Sequence, residues 1–299
     1  MKSNHRLRVR EILFAVLLAA SAAPGFAVAR GCDERCLSGL MQRYLQQMSR
    51  HDPAKLPLAA SLNARENSQP TALGEGSWKS VNGVLPGLLF ADATTGEVIY
   101  AGGARHAERI GSLFVRLKTV DGKITESELW TRGGEPTAQG AEAGRDMSGL
   151  TEPDILYDAP VPVERRSSRA QLVQIVRGYL EGISKHDGSI PHFSYRCDRY
   201  NAGFKWTNNP DNPESRGGGT CASSFTNLTG APVVNVRIPV IDVPRGVVAA
   251  LFIIPHPERK TPGATYVAEV FKIVDGKVRS IEEFGGAGGY PPDSGFPDP

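Results

Sequence analysis

The feature that most constrains this chain is that part of it occurs twice. The segment from Leu40 to Asp52, LMQRYLQQMSRHD, returns from Ile175 to Asp187 as IVRGYLEGISKHD at a constant offset of 135 residues. Further on, VDGKI from Val120 to Ile124 returns as VDGKV from Val274 to Val278 at an offset of 154, so the second copy has gained nineteen residues between these landmarks. Self-similarity on this scale means two copies of one domain, and every element of the fold must suit both sequences. Function is then to be sought in what the copies share and in where they diverge.

Residues 1–29 read as a leader and not as part of the fold. Lys2, Arg6, Arg8 and Arg10 precede an apolar run from Ile12 to Ala23, and Ala27-Val28-Ala29 ends the segment. This is the layout of a secretory signal peptide cut after Ala29. The apolar run falls short of the ~20 residues a membrane span needs. Without the leader, 34 basic and 32 acidic residues become 30 and 31. No basic face is left to attract a nucleic acid, no membrane span is expected after cleavage, and the expected location is periplasmic or extracellular.

In an oxidising compartment Cys32, Cys36, Cys197 and Cys221 are disulfide candidates with three possible pairings. Closeness in the chain favours Cys32 with Cys36 and Cys197 with Cys221, the second clamping the extra loop of the second copy. A zinc site is the competing reading, which the lack of CxxC spacing weakens.

Leu37, Leu40, Met41, Tyr44, Leu45 and Met48 recur at spacings of three and four, one face of a helix. Leu172, Ile175, Val176, Tyr179, Leu180 and Ile183 repeat that face. Both helices end at a His-Asp pair, His51-Asp52 and His186-Asp187, which reads as a joint to a second short helix capped by the Asp. Beyond it come strand-like runs: Val98–Tyr100, Leu113–Lys118 and Ile124–Leu129 in the first copy, then Val233–Ile238, Val247–Ile254, Tyr266–Ile273 and Lys277–Phe284 in the second. Asp121-Gly122 and Asp275-Gly276 are hairpin turns. The expected fold class is α+β: two tandem cone-shaped domains, each a helical hairpin packed on a curved antiparallel sheet. The expected boundaries are 30–131 and 168–284, with a Gly/Pro-rich linker over 132–167 and a Gly/Pro-rich tail over 285–299, either disordered or pinned by Tyr290 and Phe296.

The helix carrying Gln42-Arg43-Tyr44, the joint ending in Asp and the final x-Gly-Lys-hydrophobic hairpin resemble the nuclear-transport-factor-two-like superfamily, which includes ketosteroid isomerases and SnoaL-like polyketide cyclases. Leu56-Pro57-Leu58-Ala59, Arg65-Glu66-Asn67 and Arg116-Leu117-Lys118, then Cys197-Asp198-Arg199-Tyr200-Asn201, Val240-Ile241-Asp242 and Arg245-Gly246, are similar to a family of secreted tandem proteins of unknown function. That resemblance implies a fold and a layout but no reaction.

By the isomerase resemblance, Tyr44 donates to a developing oxyanion and Glu66 acts as general base, the minimal kit for proton transfer beside a carbonyl. The competing reading makes Tyr44 a core tyrosine and Arg65-Glu66 an exposed pair. The second copy aligns Arg199-Tyr200-Asn201 with Arg65-Glu66-Asn67 and so replaces the acid by Tyr200. The isomerases' second acid, on a late strand, has no counterpart near Leu113 or Phe114. Asn67, Trp78, Arg116 and Asp92 are the candidate substrate contacts, and Tyr179, Tyr200, Asn201 and Asp242 the candidate pocket of the second copy. Tyr100, Trp206, Arg237 and His256 are further candidates. There is no GxSxG, GxxxxGK or HExxH motif, and no cofactor is expected.

Two functions stay open. One is a cofactor-independent lyase or isomerase working by proton abstraction in the first copy. The other is a non-catalytic secreted ligand-binding or interaction module. The partner in either is a small molecule, and the tandem copies suggest a monomer in which an intramolecular pseudo-dimer replaces pairing between chains.

Overall fold

The protein is described by a computed structural model over residues 32–133, 150, 154–210, 219–225, 228–230 and 232–297. The leader, most of the linker and Asn227 of the Asn227-Leu228-Thr229 glycosylation sequon lie outside the described residues.

Each copy begins with one amphipathic helix, α1 (Glu34–Ser49) and α2 (Arg169–Lys185). Asp33 caps α1 by accepting the amide of Cys36 at 2.8 Å, and the Cys32–Cys36 disulfide staples the same turn. Ser168 and Gln171 form a capping box on α2. Both helices stop at their histidine, His51 and His186, each in the left-handed region at φ 58° and 55°.

No helical hairpin follows, which corrects the expected fold class. After α1 the chain makes a single 3-10 turn, Pro53–Lys55, and after α2 only turns and bends before the next strand. The physical reason is proline. Pro57 and Pro191 each lie only a few residues beyond the joint, where they remove a backbone donor and force the preceding residue toward extended geometry. Asp52 makes no capping bond, and Asp187 accepts from the Ser189 amide at 2.8 Å in a local turn. The result is largely β, two six-stranded sheets with the helices as a minor part.

The first sheet contains β1 (Leu58–Glu66), β2 (Gln69–Pro70), β3 (Val81–Asp92), β4 (Glu97–His106), β5 (Arg109–Val120) and β6 (Lys123–Gly133), in the order β2-β1-β6-β5-β4-β3. The second contains β7 (Phe193–Asn201), β8 (Phe204–Lys205), β9 (Val234–Asp242), β10 (Val247–His256), β11 (Gly263–Val274) and β12 (Lys277–Gly288), in the equivalent order. Neighbours are antiparallel except β1 with β6 and β7 with β12. A parallel pair needs a long crossover, which the intervening hairpins supply. Asp121-Gly122 and Asp275-Gly276 both have positive φ, as a two-residue hairpin turn requires.

The central strands are buried on both faces, so they read as near-continuous apolar runs. Leu113, Val115 and Leu117 of β5 pack under α1, while Phe114 points the other way, into a core shared with the second sheet. Trp130 stacks on Tyr266 with ring centroids 4.9 Å apart, and Phe114 meets Phe284 at 6.2 Å. The two copies thus pack sheet face to sheet face within one chain. Cys197–Cys221 closes the long loop of the second copy and is buried with α2's core.

Polar ties lock this interface. Arg237 of β9 donates two bonds to Glu128 of β6, Nη1 to Oε2 at 2.6 Å and Nη2 to Oε1 at 2.8 Å. Arg116 Nε reaches the same carboxylate at 2.9 Å, and Trp130 Nε1 donates to it at 3.2 Å. The tail then crosses back. Phe296 lies under both guanidinium groups, 4.7 Å from Arg116 and 5.2 Å from Arg237, and Asn63 donates to the Gly295 carbonyl at 2.8 Å. Gly295 sits at φ 73°, and a side chain there would collide with the Arg65 guanidinium. Phe296 is therefore buried and pins the tail, whereas Tyr290 stays exposed.

Burial opposes ionisation of Glu128, but the two arginines outweigh it and hold the carboxyl at about 2, against an ordinary 4.5. A depressed folded value stabilises the fold above pH 4.5 and loses that contribution as the pH falls toward 2. Glu128→Gln leaves the buried Arg237 without its anion, while Arg116 keeps Glu97 and Glu126, and is expected to cost about 3–5 kcal/mol in urea unfolding at neutral pH. It should also flatten the acid limb of stability against pH. An acid limb unchanged in the variant would contradict this assignment.

Candidate functional site

Besides the group around Glu128, three places among the described residues bring ionisable groups together. The first is the space between α1 and its sheet. Tyr44 is buried, and its hydroxyl lies 2.9 Å from Ser127 Oγ and accepts from Trp78 Nε1 at 3.2 Å. Glu66, at the end of β1, accepts the Ser77 amide at 3.0–3.1 Å and the Ser77 hydroxyl at 2.5 Å. Gly76, at φ 58°, lies so close to that carboxylate that a side chain there would strike it. Tyr44 and Glu66 line one void, but it holds only about 10 Å³. That is room for one water at most. Burial pushes the Tyr44 hydroxyl up to about 12. The tyrosine and the acid therefore lie beside each other in a filled interior.

The second place is the matching space under α2. Tyr179 donates to Glu269 Oε1 at 2.7 Å, inside an aromatic box of Phe193, Phe225 and Phe271. Arg199 pairs with Glu283 and lies 3.6 Å from Glu269, and Asn201 donates to Glu283 at 3.0 Å. Glu269 Oε2 has no partner among the described residues, and burial raises this carboxyl well above its ordinary range. A second acid on a late strand thus exists, but in the second copy. Its counterpart in the first copy at the 154-residue offset is Val115, so reasoning from the first copy does not reach it. An acid inside the apolar run Tyr266–Ile273 was the available signal.

The third place is a cavity of about 130 Å³ between the two sheets, lined by Gly87, Leu88, Ala101, Tyr157, Tyr200 and Glu282 among others. Glu282 is half-buried, accepts the Gly203 amide at 2.8 Å, and has no ion-pair partner among the described residues. Burial first, then the nearby carboxylates Glu283 and Asp154, push it up to about 8. Burial together with acidic neighbours also lifts the Tyr200 hydroxyl to about 12. Tyr157 is buried and donates to the Val270 carbonyl at 3.1 Å. Larger depressions of about 560 and 300 Å³ lie around Pro53–Leu73 and along α2, and neither gathers a charged side chain.

The remaining candidates sit elsewhere. Asp92 accepts the Ile241 amide at 3.0 Å and pairs with Arg169 at 2.6 Å, tying one copy to the other. Asp242 caps a turn through the Arg245 amide at 2.8 Å, and Arg116 is taken up by Glu128, Glu97 and Glu126. Asn67, at φ 48°, accepts the Thr131 amide at 3.1 Å and fixes the end of β1. Tyr100 donates to the Leu85 carbonyl at 2.8 Å, and His256 lies 2.9 Å from Thr265 Oγ1. Of the candidates for a pocket in the second copy, only Tyr200 lines the inter-sheet cavity. No group of three or more His, Cys, Asp or Glu among the described residues is placed to hold a metal.

Comparison with known proteins adds little chemistry. Residues 165–285 match a domain of unknown function, DUF8021, which covers the second copy and under half of the chain. No curated protein matches the sequence. Among solved structures, AusH from Aspergillus nidulans is similar at 16% identity over 43% of this chain and 90% of that one, with a TM-score of 0.30. No helix among the described residues is long and apolar enough to cross a membrane. The two disulfides point to an oxidising environment.

A raised carboxyl has the opposite pH signature to Glu128. Glu282 costs nothing below pH 4.5, where folded and unfolded forms are both protonated, and destabilises progressively as the pH climbs toward 8. Glu282→Gln should equal the parent in thermal melts on the acid side of that window and exceed it on the alkaline side. A variant less stable than the parent at alkaline pH would mean that the carboxylate has a cation the structure does not give it.

Proposed function

We propose that this is an exported, non-catalytic small-ligand-binding protein whose ligand enters the cavity between the sheets. The observation that carries this reading is a contrast. The void beside Tyr44 and Glu66 is about 10 Å³ and its polar groups are engaged by Ser77, Ser127 and Trp78, whereas the inter-sheet cavity is about 130 Å³ and opens onto an ionisable group that has no counter-ion among the described residues. Ligand sites are mostly apolar hollows with a few convergent polar groups. Leu88, Ala101 and Phe284 supply the apolar wall and Glu282 the polar group. The volume suits a small molecule or one end of a longer one. Export rests on the signal-like residues 1–29 and agrees with the disulfides.

Proton-transfer catalysis by Glu66 and Tyr44 would need a substrate between them, and the packing leaves no space for one without movement of Trp78. Binding without chemistry also fits the loss of the acid at Tyr200, since a duplicated fold keeps its architecture while its sites diverge.

A thermal-shift screen of the mature protein against amine, aromatic, steroid-like and carbohydrate metabolites tests this. A stabilising ligand should keep its effect in Glu66→Gln and Tyr44→Phe and lose it in Ala101→Leu, which fills the cavity. A ligand whose effect disappears in the first two variants and survives in the third would return the function to the first copy and reopen catalysis.

A further inference from the structure

We infer that the inter-sheet cavity takes a guanidinium or ammonium group, paired with Glu282, at the position where the other half of the molecule places its own arginines. This deepens the ligand-binding reading and rests on it.

The argument is internal to the fold. The register of the last hairpin is identical in the two copies: Arg116 lies opposite Glu128 and Val270 opposite Glu282, with the same irregularity at Lys118/Thr119 and at Lys272/Ile273. Glu128 and Glu282 are therefore equivalent residues on equivalent faces. On the next hairpin Arg237 lies opposite Leu251 and Leu88 opposite Ala101, each partner four positions in from matching hairpin ends at Val247 and Glu97. One extra residue of β9, at an irregularity between Ala249 and Leu251 that the first copy lacks, brings Arg237 to the place of Leu88. The three side chains that satisfy Glu128 are Arg116, Arg237 and Trp130. Their counterparts around Glu282 are Val270, Leu88 and Phe284, none of which can donate a hydrogen bond from its side chain. All three side-chain donors have been replaced and the acceptor kept, with the Gly203 amide as its one hydrogen-bond donor among the described residues.

What fills the first site and is missing from the second is also clear in shape. At Glu128 the two guanidinium groups and Phe296 fill the space. At Glu282 there is instead a cavity of about 130 Å³, walled by Tyr157, Tyr200 and Phe284. A carboxylate with aromatic walls is a receptor for an organic cation, which gains from the charge and from the ring faces together. The short Leu88 and the absence of a side chain at Gly87 make the space. A side chain at Gly87 would strike Tyr100.

Among the described residues, the titratable groups that face Glu282 are Tyr200 from β7, Tyr157 and Asp154 from the segment before α2, and Glu283 beside it on β12; β3 and β4 contribute only uncharged residues. A cation entering must displace the carboxyl proton below about pH 8. Affinity should therefore rise with pH up to that point and then level off.

Calorimetric titration of the mature, disulfide-bonded protein with methylguanidinium chloride, at constant ionic strength, tests the idea, with neutral N-methylurea as the isosteric control. Saturable binding of methylguanidinium is expected, with N-methylurea inert, an affinity that climbs up to about tenfold per pH unit on the acid side of the plateau, and a loss of at least about tenfold in Glu282→Gln. Leu88→Arg restores the arginine of the other half. It should fold, abolish methylguanidinium binding and be more stable with Glu282 than with Gln at that position. No saturable binding below the concentration that unfolds the protein, equal binding of N-methylurea, or a Leu88→Arg penalty indifferent to Glu282→Gln would each overturn the inference. If a neutral ligand binds and is blocked by Ala101→Leu but not by Glu282→Gln, the cavity still binds and only its preference for a cation falls. If Ala101→Leu affects no ligand, the cavity itself is not the site.

Discussion

A carboxylate buried in an apolar interface survives as an anion only if cations reach it, and the joining of the two copies depends on that requirement at Glu128. Arg116 comes from the same sheet and Arg237 from the other, so the charge can be balanced only when the two sheets are docked in one register. The aromatic contacts of Trp130 with Tyr266 and of Phe114 with Phe284 supply apolar burial but little orientation. The forked contact from Arg237 supplies the orientation, because two parallel bonds fix both position and plane. The C-terminal tail depends on the same group of charges, since Phe296 is held by the guanidinium faces.

The equivalent carboxyl in the other half has lost this arrangement. An exact two-fold pairing would place the same charges on both sides of the interface. The chain keeps Glu282 but substitutes Val270 and Leu88 for the arginines, leaving a hollow where the first half has a filled contact. One side of the interface then serves to join the copies, and the other is released from that role. Duplication in one chain permits this asymmetry, which a symmetric dimer of identical subunits cannot have.

Much of the architecture was legible because its signals were local. The period of 3.6 in Leu37–Met48 and Leu172–Ile183 gave both helices, and Asp-Gly pairs marked the last hairpins. The second helix of each expected hairpin was not there, because a His-Asp joint resembles a capping signal while Pro57 and Pro191 decide against it. β1 and β7 were harder to see. Their residues are mostly half-buried without alternation, and each finds a parallel neighbour from the far end of its domain. Tyr44 and Glu66 line one small void. That Trp78 and Ser77 fill it depends on a turn whose position no periodicity reveals. Glu282 reads as an ordinary polar residue on a last strand. Only alignment at the 154-residue offset, with Arg116 against Val270, shows that it has lost its partners.

The most direct measurement is a carboxyl-detected NMR titration of Glu128 and Glu282 in the same sample, assigned through Glu→Gln variants. If one carboxyl joins the copies and the other faces an unneutralised cavity, Glu128 stays ionised down to about pH 2 and Glu282 keeps its proton to about pH 8. Two carboxyls that titrate together near the ordinary 4.5 would mean that the halves of the interface are alike, and the division between a joining side and a binding side would be wrong.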